Sequence, residues 1–269
     1  MSPLVVIGVS VGAVAVAIVL LWGSRRFLHV ERPMSDVTRS DYYGVVATAF
    51  AVLLAFVVFN AAQSYNRGNS GAEAEAVALT EMFRTSQFFG GEDAERLEGD
   101  VTCLTRASVA EWPLMDDGGR NPDIEYWLAQ KRATMEALDA STPIGETALG
   151  HLFDEEQNRT AGRRERLSEA EGAVVGPIWY TLIVGGLAVI LLPILFMRPT
   201  ESVGMQSILV GAVTLMVVTG LALVWFLDHP YGDAAGSIKP SELERSLETM
   251  QTESPGVVPP CGEDGSPVA

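Results

Sequence analysis

The residues best able to do chemistry are few and scattered. Three histidines, His29, His151 and His229, and two cysteines, Cys103 and Cys261, are the chain's whole stock of imidazole and thiol groups. His151 and Glu155 stand at i, i+4, which puts both on one face of a helix and is a spacing that metal sites use. Two ligands do not fix a metal, and the surrounding run is acidic, so a solvated helix face is the simpler reading. Asp228 and His229 are adjacent in WFLDHPYG, residues 225–232, where a long apolar run ends. The chain carries no GxSxG, HExxH or CxxC motif and no phosphate-cradling glycine loop. Neither an enzyme, a metal site nor a cofactor is expected. A different chemistry is available in AFAVLLAFVVFNAAQSYNRG, residues 49–68. On a helix, Leu53, Phe56, Asn60, Gln63 and Arg67 fall within about 80° of one another at about 100° per residue. Their face grades from apolar to polar to basic. A helix lining a hydrophobic constriction that opens into a wet vestibule needs that gradient. A helix end meeting the membrane interface supplies the same residues.

The elements that position this face follow from hydropathy. The chain has 269 residues, 48% of them hydrophobic, with positive mean hydropathy and a formal net charge of −16. These facts agree because apolar and charged residues are segregated. Leu4 to Trp22, Tyr42 to Ala62, Val174 to Met197 and Gly204 to Leu227 are nearly free of charge. At about 1.5 Å per residue each reaches about 28 to 36 Å, enough to cross a bilayer as a helix. The expectation is an all-α integral membrane protein of four transmembrane helices, with a helical extramembrane domain between spans 2 and 3. The first run has no basic residue before it and ends in WGSRR, so it reads as an uncleaved anchor rather than a signal peptide. No ionisable residue interrupts any span, which argues against a proton-coupled pump. Gly8 and Gly12 form a GxxxG, and Gly211 and Gly220 interrupt the fourth run. Small residues let helices approach closely in lipid, either within one chain or between subunits.

The expected organisation is residues 1–65 as spans 1 and 2 with a short basic loop, 66–173 as the helical domain, 174–228 as spans 3 and 4, and 229–269 as an acidic, partly disordered tail. In the domain, Ala72, Ala76, Leu79 and Phe83 recur at spacings of three and four, as do Leu97, Val101 and Leu104, and Ile124, Leu128, Met135 and Leu138. Trp112-Pro113 breaks a helix, and Asn121-Pro122 and Thr142-Pro143 each set a capping side chain before proline. From Ile144 to Gly172 one long helix is expected. In the tail, Ser241 to Gln251 reads as a short helix, and the Pro- and Gly-rich remainder reads as disorder.

Four spans put both termini and the domain on one face. The short loops opposite, residues 23–41 and 198–203, hold Arg25, Arg26, Arg32, Arg39 and Arg198 against Glu31, Asp36, Asp41 and Glu201, a near balance. Essentially all the negative charge therefore falls on the domain face. That excludes nucleic acid as an expected partner. Arg163, Arg164 and Arg166 are interleaved with Glu165 and Glu169 and read as a solvated helix face. The positive-inside rule applied to the short loops places the domain outside the cell. There Cys103 and Cys261 could pair in a disulfide or remain free thiols.

Short motifs add a resemblance. FNAAQSYNR, residues 59–67, resembles the end of the second pore helix of bestrophins. LDHPYG with IKPSELERSLETM resembles the segment after their last span, and EAVAL at 75–79 and EWPLM at 111–115 are similar to the bacterial bestrophin-like domain family. The layout of spans and helical domain is similar too. The resemblance implies a homo-oligomeric ion channel in the lipid bilayer, its second helix lining the pore. Leu53 and Phe56 would be the constriction and Asn60 its mouth, with inorganic ions as cargo. It implies that Asp228, Pro230, Tyr231 and Gly232 form a turn packing the tail onto the domain. It also implies a cytoplasmic domain, opposite to the loop charges, to which we give preference. Gly68, Asn69 and Ser70 stand where bestrophins carry paired Trp, and Asp228 and Asp233 are the acids near the region that binds calcium in animal members. The negative domain face leads to an expected weak preference for cations. The alternative is a non-conducting scaffold or sensor whose acidic helical domain binds a protein partner.

Overall fold

The computed structural model describes residues 3–27, 36–116, 118–196, 202–232 and 234–268. Side chains at 3, 25–27, 36–40 and 196 lie outside that description, as do residues 28–35 and 197–201. The arginines of the short loops, Arg25, Arg26, Arg32, Arg39 and Arg198, are thus outside it, as is Asp233. Among the described residues all regular elements are helices: α1 (Pro3–Phe27), α2 (Asp36–Ser86), α3 (Gly91–Ala110), α4 (Trp112–Met115), α5 (Asp123–Ala137), α6 (Pro143–Glu169), α7 (Gly176–Phe196), α8 (Val203–Asp228) and α9 (Ser241–Glu253). They group into two compact units, one of Met1–Ser64, Gly172–His229 and Asp233–Gly236, the other of Tyr65–Glu171, Pro230–Gly232 and Ser237–Ala269. α2 contributes to both.

The first unit is the membrane unit. Four helices are long and apolar enough to span: Leu4–Ser24, Asp41–Ser86, Gly176–Leu195 and Val203–Asp228. Their outward faces carry exposed Leu4, Ile7, Val16, Val52, Leu187, Leu209 and Met216. Acyl chains can cover such a surface and water cannot without cost. Inside, Phe50 and Val57 of α2 meet Leu182 and Val189 of α7 and Val217 and Val224 of α8. Glycines permit the closeness: a Cβ at Gly185 would lie 2.8 Å from the Phe50 ring, and one at Gly220 would lie 2.8 Å from Leu54. Gly220 is thus used within the chain. A Cβ at Gly8 or Gly12 would meet no atom of another element within 4 Å among the described residues.

The second unit is helical and built on α3. Leu97, Val101 and Leu104 are fully buried against Ala72, Ala76, Leu79 and Phe83 of α2, with Ile124, Trp127 and Met135 of α5 closing the core. The helix boundaries have local causes. α4 starts with Pro113 in its first turn. The Asn121 Oδ1 accepts from Asp123 N at 3.1 Å at the entry of α5, and Thr142 Oγ1 accepts from Gly145 N at 3.0 Å at the entry of α6. α6 and α2 cross backbone to backbone. A Cβ on Gly71 would sit 2.7 Å from Arg166 N and 2.8 Å from Gly162 O, and the reciprocal is true of Gly162.

The tail departs from the expectation of disorder, and it is not a separate segment. Residues 237–268 belong to the helical unit. α9 buries Leu243, Ser246 and Met250. Beyond it a disulfide joins Cys261 to Cys103 of α3. Trp127 Nε1 donates to Gly265 O at 2.6 Å, and Arg106 Nη1 donates to Cys261 O and Gly262 O at 3.3 and 3.2 Å. Gly265 has φ +79°, and a Cβ there would lie 2.3 Å from Ala107 N. Composition misses this order because the segment has no core of its own. Its order comes from side chains far away in sequence.

Candidate functional site

The candidate pore face lies on α2. Phe56 is 67% exposed, and Phe59, Asn60, Gln63 and Arg67 are exposed on the same side as Val45 and Val52. Leu53 is half-buried and packs toward the core shared with α7 and α8, so it sits at the edge of this face. In the helical unit Arg67 is engaged: its Nε donates to Glu169 Oε1 at 2.7 Å. Within the membrane unit the face is therefore apolar, then amide-bearing. Residue 68 is a site of close approach, because a Cβ there would meet the Tyr231 hydroxyl at 2.7 Å. An aromatic side chain has no room at that position.

The turn after α8 separates into two roles. In the membrane unit Asp228 is buried. Its Oδ1 accepts from Val174 N at 2.8 Å and its Oδ2 from Trp179 Nε1 at 3.0 Å. The acid thereby ties the end of α8 to the start of α7. The His229 ring stacks on Trp225 with centroids 4.1 Å apart. In the helical unit Tyr231 is buried, edge-on to Trp112, and donates from its hydroxyl to Arg166 O at 3.0 Å. Burial pushes its phenol well above the ordinary range, although Arg166 pulls the other way. Pro230 O accepts from Ile238 N at 2.8 Å, and the Gly232 backbone lies beside Asp116. His151 is about half exposed, with Nδ1 3.9 Å from Glu155 Oε1. Among the described residues no three His, Cys, Asp or Glu side chains stand close enough to hold a metal ion.

Arg163 and Arg166, expected on a solvated helix face, instead form the buried centre of the helical unit with Glu75 and Glu111. Arg166 is 0% exposed; its Nε donates to Glu75 at 2.7 Å and its Nη2 to Glu111 at 3.2 Å. Arg163, set down above as solvated, is largely buried, and donates twice to Glu111, at 2.6 and 2.8 Å. Asn121 N also donates to Glu111, and the Arg166 guanidinium lies 4.7 Å above the Trp112 ring. Burial works against the Glu111 charge, but the hydrogen bonds and charges of Arg163 and Arg166 outweigh it and lower its pKa. The same balance, burial against Glu75 and Glu111, keeps Arg166 charged. A sequence signal did exist: Glu75 falls on the same helical stripe as Ala72, Ala76 and Leu79, a position where an acid needs a partner.

Four apolar spans, the second continuous with a helix of a disulfide-closed helical unit, define a polytopic, all-α membrane protein. A Bestrophin-like domain model matches residues 11–243, which take in α2 to α8 whole and most of α1. The chain belongs to the bestrophin-like family. No curated protein and no solved structure matches it significantly.

Proposed function

We propose that the chain is one subunit of an oligomeric ion channel whose pore is lined by α2. The observation that carries this is the outward face of α2. Phe56 and Phe59 stand exposed on the same side as Val45 and Val52, and Asn60 and Gln63 follow within two turns. Facing copies around an axis would bring Phe56 into a constriction with Leu53 at its flank, and Asn60 to its mouth. The free Gly8 and Gly12 surface of α1 offers a close-approach seam for a neighbouring copy. With the short-loop arginines inside by the positive-inside rule, the helical unit is exocytoplasmic, and the Cys103–Cys261 disulfide suits that compartment. A vestibule built from a chain of net charge −16 concentrates cations. The expected selectivity is a weak cation preference.

The test is sodium and chloride flux from proteoliposomes, wild type beside Phe56→Ala and Asn60→Ala. Flux that both substitutions change, with a bi-ionic reversal potential favouring sodium, is the expected result. A reversal potential favouring chloride would overturn the selectivity, and a monomer in mild detergent would overturn the pore. A second reading, a non-conducting scaffold whose acidic unit docks a protein, is favoured by position 68, which has no room for an aromatic beside Arg67. Well-folded oligomers that pass no ion in any variant would select it.

A further inference from the structure

We infer that the groove between α5 and α6 of the helical unit is a binding site for a small multivalent oxyanion, a phosphate or a polycarboxylate. The inference does not depend on whether α2 conducts. It starts from a guanidinium that is incompletely satisfied inside the protein. Lys131 of α5 and Arg159 of α6 are 1% and 3% exposed. Both are satisfied by one carboxylate: Lys131 Nζ donates to Glu156, and Arg159 Nε and Nη2 donate to its two oxygens at 2.8 and 2.9 Å. Glu156 is about a quarter exposed, and buried Asp100, held by Thr134 one turn along α5, adds a second carboxylate near Lys131, so the cation left incompletely satisfied is Arg159. Arg159 Nη1 is buried and has no hydrogen-bond partner. A guanidinium with an idle, buried N–H pair is a donor waiting for an acceptor.

Arg159 borders a surface cavity of about 420 Å³ whose other charged walls are Arg120, Arg163, Arg164 and Glu171. Arg163 is committed to Glu111. Arg120 uses one nitrogen on its neighbour's carbonyl, Gly119 O, and keeps the rest. Arg164 is exposed and makes no hydrogen bond or ion pair with the described residues. Arg120 and Arg164, with guanidinium donors to spare, border the same space as Arg159, together with Thr160, Ser168, whose hydroxyl donates to Glu165 O, and one acid, Glu171. Planar guanidinium forks match the paired oxygens of carboxylate and phosphate groups. A volume of this size takes an ion or a small organic acid rather than a macromolecule. In a chain of net charge −16, an anion is repelled at long range, so its affinity has to come from this local positive cluster.

The experiment is calorimetric titration of the full chain in a neutral detergent with inorganic phosphate and, separately, with citrate. The variants are the double substitution Arg120→Ala with Arg164→Ala, and Arg132→Ala. The first pair removes exposed donors that hold no ion pair, so the fold is kept, and unliganded thermal midpoints check this. Arg132 is an exposed cation on the neighbouring surface that does not line this cavity. Saturable one-to-one binding is expected in wild type, within about threefold in Arg132→Ala, and at least about tenfold weaker in the double variant. Tighter binding of phosphate points to free phosphate as the ligand, and tighter binding of citrate to an organic polycarboxylate. Absence of saturable binding in wild type overturns the inference. So does equal affinity in the double variant, or equal weakening in all the variants.

Discussion

Arg166 offers the sharpest test of how the helical unit is held. Replacing it by Met keeps the length of the side chain and its contact with Trp112 and removes only the charge and the donors. Glu75 then loses its one hydrogen bond from a cation, since its Oε1 already has no partner and the next guanidinium, Arg163, is 3.9 Å away. Glu111 suffers less, because Arg163 donates twice and Asn121 N once. A buried carboxylate stripped of its partner costs about 3–5 kcal/mol. Arg166→Met should therefore lose about that much, and adding Glu75→Gln should restore a good part of it, a coupling of about 2 kcal/mol or more between the two sites. The assay is urea unfolding of detergent-solubilised protein followed by far-UV circular dichroism, because guanidinium salts would screen the interaction under study. A loss under about 1 kcal/mol for Arg166→Met, or strictly additive single and double variants, would refute the account of Glu75 as a dependent charge.

Further predictions follow from other contacts. Gly71→Ala or Gly162→Ala puts a methyl group against the backbone of the facing helix, which cannot rotate away, and should lower stability by about 1–3 kcal/mol. Gly150→Ala, on α6 with open space around it, should be neutral or stabilising by up to about 1 kcal/mol, so thermal midpoints that fail to separate the two classes count against the crossing. Glu156 is pushed up by burial but pulled down further by Arg159 and Lys131, to about 2. Its folded value thus lies below its ordinary one of 4.5, so it stabilises above that pH, and the contribution is lost as pH falls from about 4.5 to about 2. Glu156→Gln should flatten the fall of the thermal midpoint across that window, and an unchanged slope would contradict the assignment. Cys103→Ser opens a link across 158 positions, for which loop entropy gives an upper figure of about 5 kcal/mol, and a loss of about 2–5 is expected. In intact cells an impermeant reductant followed by an impermeant maleimide should label the wild-type pair; labelling that requires lysis would place the helical unit in the cytoplasm.

Periodicity carried much of this fold. Ala72, Ala76, Leu79, Phe83, Leu97, Val101 and Leu104 recur at helical spacing because one face of each helix is buried, and all are buried here. Thr142 was legible as a cap because capping acts over three residues; Asn121 instead accepts from the N–H two residues on, and Pro122 holds the cap position of α5. What escaped was long-range. Arg163 and Arg166 look solvated when only Glu165 and Glu169 are considered. Their true partners, Glu75 and Glu111, are 91 and 55 positions from Arg166. The order of residues 255–268 is likewise set by Cys103, Arg106 and Trp127. On α2 the gradient of Phe56, Asn60 and Gln63 was visible, but the inward turn of Leu53 depends on where α7 and α8 pack. The oxyanion groove left no motif, since its donors sit on a loop and on α6 among acids.

The helical unit is assembled from Tyr65–Glu171 and, beyond α7 and α8, from Pro230–Gly232 and Ser237–Ala269. During synthesis Cys103 must therefore wait while both intervening spans enter the bilayer before Cys261 arrives. These parts meet only if those spans cross an even number of times. A chain in which one crossing fails delivers α9 to the wrong compartment. Its α3 is left without the side chains of Leu243 and Met250, and its thiols stay unpaired. The closed helical unit is in this sense a parity check on membrane insertion, and a mis-threaded chain displays an open apolar core and a reactive thiol for quality control to find.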